Sequence, residues 1–332
     1  MLYFFSSLII SLAISLLIIY FSHKHQIFID HHETIKPQRF HTDATPRSGG
    51  IGIISGLSLF LLSTFGIKLF IPTILAFLSG IFEDFHNSLS AKTRLFLQLI
   101  AAVIAIWTLN AYIKYLGFDI YLPIWFSYIL TIFAIVGMMN AINIIDGFNG
   151  LASGIIILIL ISFGYIAYTQ NNHEILNIIC ITLGSTIGFV LLNFPKGKIF
   201  LGDGGAYMLG FVVITIGIFL SNKYNSVSPW YIVAVSIYPI WEVAFSIIRK
   251  LSQKKSPMQP DSYHFHMLVH RVITKNNPLT ALFIITLNIP FVYFATIYAH
   301  NSLYNIKLIL VFIAVYISLY FFMLNRDKKL TS

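Results

Sequence analysis

The chain has 332 residues, 57% of them hydrophobic and 10% charged, with a mean hydropathy of +0.82 and a formal charge of +9. Soluble domains carry roughly 25% charged residues, so this composition excludes a water-soluble globular domain and predicts an all-α integral membrane protein. A lone cysteine, Cys180, excludes a disulfide framework.

Apolar runs near the ~20 residues needed to cross ~30 Å of hydrocarbon lie at 2–21, 50–66, 68–82, 95–115, 123–141, 151–169, 174–193, 205–221, 229–248, 278–298 and 305–324. The expectation is a polytopic protein with about 11 transmembrane helices. The first run is followed by His23-Lys24-His25 rather than a small-residue cleavage site, so it is expected to stay as a helix. Cys180 falls inside the seventh run and reads as a small buried apolar residue.

Lys and Arg set the orientation. Loops after odd-numbered runs, with the C-terminal tail, hold 17 of them, whereas the other side holds only Lys68, Lys114, Lys223 and Lys307. The N-terminus is therefore expected outside, and the odd loops and the C-terminus in the cytoplasm. The net positive charge is then a topology signal and not a sign of nucleic-acid binding.

Nine carboxylates fall in those same loops or the tail: Asp30, Glu33, Asp43, Glu83, Asp84, Asp146, Asp203, Asp261 and Asp327. Only Asp119 and Glu174 face the other way, and Glu242 lies inside a run. Acids obey no inside rule, so their asymmetry points to a cytoplasmic site. Several sit at glycine-containing helix junctions, where backbone amides and the positive end of a helix suit an anion. Acids beside such a spot make sense with a divalent cation between them, since Mg²⁺ is usually held by one or two carboxylates plus substrate phosphates. The competing reading is a set of polar helix ends eased into packing by glycine. Asn140, Asn143 and Asp146 are spaced by three, which places them on one helix face, either lining a site or forming an interhelical seam. Glu242 stands two turns before Arg249 and is expected to pair with Arg249 or Lys250.

Five stretches carry a resemblance: "RFHTDATPRSGGIGI", "GIFEDFHNSLSAKTRLFLQ", "NAINIIDGFNGLASG", "NFPKGKIFLGDGGAYMLGF" and "PDSYHFHMLVHR". In this order they resemble the loops of the polyprenyl-phosphate N-acetylhexosamine-1-phosphate transferases, glycosyltransferase family 4, and the subgroup that initiates O-antigen units. Glu83, Asn149, Ala206 and Met267 depart from the family pattern, where Asp, Asp, Ser and His are usual. The resemblance implies one membrane-embedded transferase domain, 1–332, in the bacterial cytoplasmic (inner) membrane. Its catalytic loops would lie at about 22–49, 83–94, 142–150, 194–204 and 249–277, facing the cytoplasm.

The reaction so implied moves a sugar-1-phosphate from a UDP-N-acetylhexosamine to undecaprenyl phosphate and releases UMP. It implies Mg²⁺, replaceable by Mn²⁺, held by Asp203, although a helix N-cap is the other reading of that residue. Asp84 and Glu83 fall on the lipid-phosphate side, with Asp84 positioning or deprotonating the nucleophile, and Asp146 and Asn143 in the site. Asn149 would meet the uracil ring and Phe200 stack on it, while Asn193 opens the fourth motif as a substrate-binding residue. His264, His266 and Arg271 would bind the diphosphate; zinc on His264, His266 and His270 competes but lacks a clear fourth ligand. Arg39, His41 and Arg47 are candidates for the lipid phosphate or diphosphate, and Asn140 for structural support. Partners implied are the two substrates and membrane lipid, with a homo-oligomer left open. The alternatives are a phospho-N-acetylmuramoyl-pentapeptide transferase and, from another class, a secondary transporter, which would be expected to show inverted repeats and mid-membrane acids.

Overall fold

A computed structural model of the protein describes residues 1–25, 45–86, 89–256 and 262–331. Each predicted apolar run overlaps helix, although the run 95–115 outlasts its helix, which ends at Leu109. The elements are α1 (Leu2–His25), α2 (Gly49–Leu57) with a 3₁₀ turn (Ser58–Leu62), α3 (Thr64–His86), α4 (Ala91–Leu109), α5 (Ile124–Ile145), α6 (Leu151–Thr169) and α7 (His173–Asn193). They continue with α8 (Gly202–Lys223), α9 (Pro229–Val235), α10 (Ile237–Ser252), α11 (Phe265–Val269) with a π turn (His270–Thr274), α12 (Asn277–Ile297) and α13 (Ser302–Thr331). In hydrocarbon every backbone polar group must be satisfied within the protein, which a helix does by itself. Polar side chains close the helix starts: Ser90, Asn172, Ser228 and Asn276 each accept a hydrogen bond from the first turn that follows.

All eleven runs are present in order, and two of them differ in form from a straight spanning helix. Among the described residues nine helices are long and apolar enough to span a membrane alone. The ninth run is not one straight helix but α9 and α10, bent by 78° at Ser236. Pro239 lacks an N–H, and its ring clashes with the carbonyl four residues back, that of Val235, which is where α9 ends. The second run shrinks to the short segment Gly49–Leu62, roughly 24 Å long from α-helical and 3₁₀ rises.

That short segment nevertheless runs from one end of the bundle to the other. At its start Gly49 N–H bonds the Phe200 carbonyl, next to α8. Past its end, the N–H of Phe65 bonds Glu174 near the start of α7. The opposite end also joins Asn222 to the Asn110 carbonyl and Trp230 to the Leu116 carbonyl. Loops thus alternate between two ends, in the order expected from the sequence.

Helix α8 is the central element, with 89% of its apolar window buried. It packs on α5, where Gly210 meets Met138 and Met139, and on α3. At the edge, α1 turns Ser7, Ser11 and Ser15 onto α7 and α2, with Ser11 Oγ donating to the Ser185 carbonyl at 2.7 Å. Small residues let membrane helices approach closely in this way.

Candidate active site

The end of α3 and the start of α8 meet at Asp84. One carboxylate oxygen accepts the N–H of Asp203 at 2.9 Å and the other the N–H of Gly204 at 3.0 Å. Asp84 therefore caps α8, where a negative charge also suits the helix dipole. Two glycines make this possible. Gly80, one turn before Asp84, lies so close to the Asp203–Gly204 backbone that a Cβ would overlap it. Gly202 has φ +76° and would place a Cβ 2.6 Å from Asp84 Oδ2, so only glycine combines that left-handed turn with that contact.

With its backbone held, Asp203 points its carboxylate at residues from three other segments: the first turn of α4, the last turn of α5 and the chain before α2. Arg94 Nη1 donates to Oδ2 at 3.0 Å, Asn143 Nδ2 donates to Oδ1 at 3.0 Å, and Arg47 Nη2 lies 3.9 Å from Oδ1. Asp146, at the C-terminus of α5, is near enough to feel Arg47 and Asp203; burial pushes its carboxyl up to about 7, against the pull of Arg47 and with the repulsion of Asp203. Asn140 bonds Gln98 and the Val136 carbonyl, the supporting contact expected of it. Glu83 keeps one oxygen buried without a partner among the described residues.

The carboxylates of this cluster, Asp203, Asp146 and Glu83, offer hard oxygens, as Mg²⁺ prefers. A carboxylate offers about four lone-pair sites; Asp203 has two short side-chain contacts, and no side-chain hydrogen bond ties Asp146 to a described residue. The residues fit a cation held by one or two carboxylates, although among the described residues no three His, Cys, Asp or Glu converge as a ready-made metal cage. The zinc reading of His264, His266 and His270 has no such group behind it.

The third and fourth loops are tied by asparagines. Asn193, expected to contact substrate, accepts the Gly150 N–H at 2.7 Å and donates to the Ile199 carbonyl at 2.8 Å, so it ties the two loops together. Asn149 is buried and donates its amide to the Pro195 carbonyl, leaving its side-chain carbonyl without a hydrogen bond among the described residues. The Phe200 backbone pairs with Pro46 and Gly49, and its ring is half-buried.

In the fifth loop, Arg271 does not point into open space. It grips Asp327 of α13 at 2.8 and 3.0 Å and donates to the Ser262 carbonyl at 2.7 Å, so the diphosphate role expected of it meets an existing ion pair. His264 bonds Glu242 at 3.0 Å and His266 bonds Tyr238 at 3.2 Å. The expected pairing of Glu242 with Arg249 or Lys250 is thus replaced by His264, Phe265 and Tyr316, because the fifth loop folds back onto α10. Burial holds the His266 imidazole down at about 4, against the pull of Glu242 and with the repulsion of His264; it is neutral at pH 7. Arg39, His41 and Asp261 lie outside the described residues.

The glycine amides expected to grip an anion are already engaged. Those of Gly49 and Gly50 bond Phe200 and Leu201 carbonyls, that of Gly150 bonds Asn193, and that of Gly204 bonds Asp84. Positive charge at the cluster comes instead from arginine. In the sequence Arg94 is only a basic residue after the acid pair, yet one signal marks it: it lies in the first turn of α4, without a compensating acid, where the helix dipole disfavours a cation.

Comparison with known proteins identifies the family. The model of "Glycosyl transferase family 4" matches residues 67–221. A "Probable undecaprenyl-phosphate N-acetylglucosaminyl 1-phosphate transferase" of Bacillus subtilis (strain 168) is 33% identical over 250 residues, 71% of this chain and 68% of that protein. A phospho-N-acetylmuramoyl-pentapeptide-transferase of Streptococcus agalactiae serotype Ia is 30% identical over 245 residues, 69% of each chain. One from Lactobacillus helveticus is 33% identical over 192 residues, 54% of this chain and 57% of that protein. A third of the residues shared across more than two thirds of both chains is ample for common descent, and this multi-pass membrane protein belongs to the polyprenyl-phosphate hexosamine-1-phosphate transferase family.

Proposed function

We propose that the protein transfers the sugar-1-phosphate of a UDP-N-acetylhexosamine to undecaprenyl phosphate, releasing UMP and leaving a lipid-diphosphate-linked sugar that starts O-antigen or another cell-envelope polysaccharide. The observation that carries this reading is Asp203, met by Arg94, Asn143 and Arg47 from three separate segments of the chain and held from behind by Asp84. The whole helical bundle then works as one unit in the bacterial inner membrane, with this end toward the cytoplasm, as the 17 to 4 division of Lys and Arg supports.

In the reaction an oxygen of the lipid phosphate attacks the β-phosphorus. The new P–O bond forms as the bond to the UMP oxygen breaks, and UMP leaves with that electron pair. A phosphate monoester has a second pKa near ~6, so the lipid phosphate is mostly dianionic at neutral pH and needs no strong base. The difficulty is to bring two anions together, which fixed charge and dipoles overcome. Arg47 and Arg94 supply that charge beside Asp203, Asn143 orients the carboxylate, and Asp84 keeps the start of α8 in place. Glu83 is assigned to the lipid-phosphate side, and Arg39 and His41, outside the described residues, are candidates for the lipid phosphate or the diphosphate. His264, His266 and Arg271 take the diphosphate, and Asn149 and Phe200 the uracil, with the Asn149 carbonyl left for the ring N3–H. Mg²⁺, or Mn²⁺ in its place, would be held by Asp203 with Asp146 as the second carboxylate; when bound it supplies the positive charge that lets carboxylates and phosphates share one site.

The test is UMP release by purified protein in detergent with undecaprenyl phosphate, Mg²⁺ and a panel of UDP-sugars that includes UDP-N-acetylmuramoyl-pentapeptide. Lipid-dependent UMP from an N-acetylhexosamine is expected, falling by at least about 10²-fold in Asp203→Ala. Turnover of the pentapeptide substrate alone identifies the other branch of the family, and no lipid-dependent UMP from any sugar sinks the reading.

A further inference from the structure

Glu242 lies on α10 just past the bend and is 1% exposed. Its carboxylate accepts three hydrogen bonds: from His264 Nδ1 at 3.0 Å, from the backbone N–H of Phe265 at 3.0 Å and from the Tyr316 hydroxyl of α13 at 2.9 Å. One turn earlier on the same face, the Tyr238 hydroxyl lies 3.2 Å from His266 Nδ1. Two residues four apart on α10 therefore hold two imidazoles two apart on the fifth loop, whose rings stack 5.4 Å apart and within 5° of parallel.

The chemistry of the partners fixes the ring edges. An ionised carboxylate only accepts, so His264 carries its proton on Nδ1 and turns Nε2 away from Glu242. His266 is fully buried, and its Nε2 has no hydrogen-bond partner among the described residues. That atom faces Gly147, where a Cβ would sit 3.7 Å from it, and Phe148 packs edge-on against the same ring. The neighbouring residue is Asp146 of the acidic cluster. A buried imidazole nitrogen left without a partner is costly, and this one is aimed at Gly147 of the third loop.

We propose that Glu242 is a positioning residue for the transfer reaction: through His264, and with Tyr238 beside it, it locks the imidazole pair so that Nε2 of His266 is held toward the Asp146–Gly147 turn for a phosphate oxygen of the nucleotide sugar. The identity of that ligand rests on the transferase reading above. The last helix completes the cage. Besides Tyr316, α13 contributes Tyr320, whose hydroxyl donates to the Tyr263 carbonyl at 3.0 Å, and Asp327, which holds Arg271. Residues 316, 320 and 327 share one helix face, so α13 clamps the histidine loop along its length, although it lies beyond the residues that the family model matches.

The experiment combines two readouts on purified protein in detergent. One is the ¹⁵N spectrum of histidine-labelled protein without substrate; the other is steady-state UMP release with UDP-sugar and lipid phosphate varied in turn. Wild type is expected to show an Nδ1–H imidazole that survives in Glu242→Gln, whose amide oxygen still accepts, and disappears in Glu242→Ala. The expected kinetic effect of Glu242→Ala is a roughly 10- to 100-fold loss of kcat/KM for the UDP-sugar, mostly as raised KM, with KM for the lipid unchanged and Glu242→Gln within about threefold of wild type. Wild-type kinetics in Glu242→Ala, or equal impairment in Glu242→Gln, overturns the proposal. Should Glu242→Ala not fold, Tyr316→Phe removes a single hydroxyl from the cage: a several-fold rise in the same KM is expected, and an unchanged KM overturns the proposal. If wild type turns over no sugar at all, the transferase reading fails, while the Nδ1–H signal separately decides whether Glu242 holds His264.

Discussion

At Asp203 a carboxylate that would repel a phosphate is surrounded by groups that make it tolerable, and Arg94 makes the shortest charged contact, 3.0 Å. Arg94→Ala is expected to lower kcat/KM by about 10²-fold, and Arg94→Lys to recover only part of it, because an ammonium keeps the charge but loses the planar fork; UMP release measures both. Asp146 gives a pH signature. Its carboxyl stands at about 7 through burial, above its unfolded value near 3.9. The unfolded chain therefore releases this proton first as pH rises, so the stability it contributes is full below about pH 4, falls as pH climbs toward 7 and is flat above. The difference in thermal midpoint between wild type and Asp146→Asn, in detergent without added divalent cation, should follow that curve; a constant difference from pH 4 to 8.5 would contradict the burial of the group. The acids of this cluster were legible in the sequence because charge is rare in so apolar a chain. Arg94 was not, since a lone arginine at a helix start looks like a topology signal. Nor were the partners of Glu242, which come from 22 and 74 residues further along, while helical spacing offered only Arg249 and Lys250 nearby.

Helices were the most legible elements, for hydrocarbon leaves an apolar run few other ways to fold. Two misreadings have local causes. Hydropathy averages across Pro239 and cannot see the bend, and the run 50–66 joined a short helix to the beginning of the next one. The contact between α3 and α8 is set by absent side chains: Gly80→Ala is expected to push the start of α8 away from Asp84, destabilise by about 1–3 kcal/mol and reduce UMP release, read by thermal unfolding and turnover. A methyl group on Gly137 of α5 would meet nothing within 4 Å, so Gly137→Ala serves as the matched control and should leave both unchanged. Loss of activity in Gly137→Ala equal to that in Gly80→Ala would show that the close approach is not what matters.

For the whole molecule, alternation of the loops between two ends follows from the hydrogen bonds, and the charge count gives the expectation, open to test, of which end faces the cytoplasm. In cells carrying Cys180→Ser, a cysteine at the exposed Lys198 should react with a membrane-impermeant maleimide only after permeabilisation, and one at the exposed Asn225 should react at once; the reverse pattern inverts the topology. The short crossing formed by α2 has a further consequence. At roughly 24 Å against ~30 Å of hydrocarbon, it is shorter than the bilayer core, and Arg47 stands two residues before its start. On the proposed transferase reading, the lipid phosphate is expected to reach Asp203 by lateral diffusion within the bilayer plane and the nucleotide sugar from water. Turnover should accordingly obey surface-dilution kinetics: adding detergent at constant bulk lipid lowers the mole fraction of the acceptor and the rate with it, and leaves KM for the nucleotide sugar where it was.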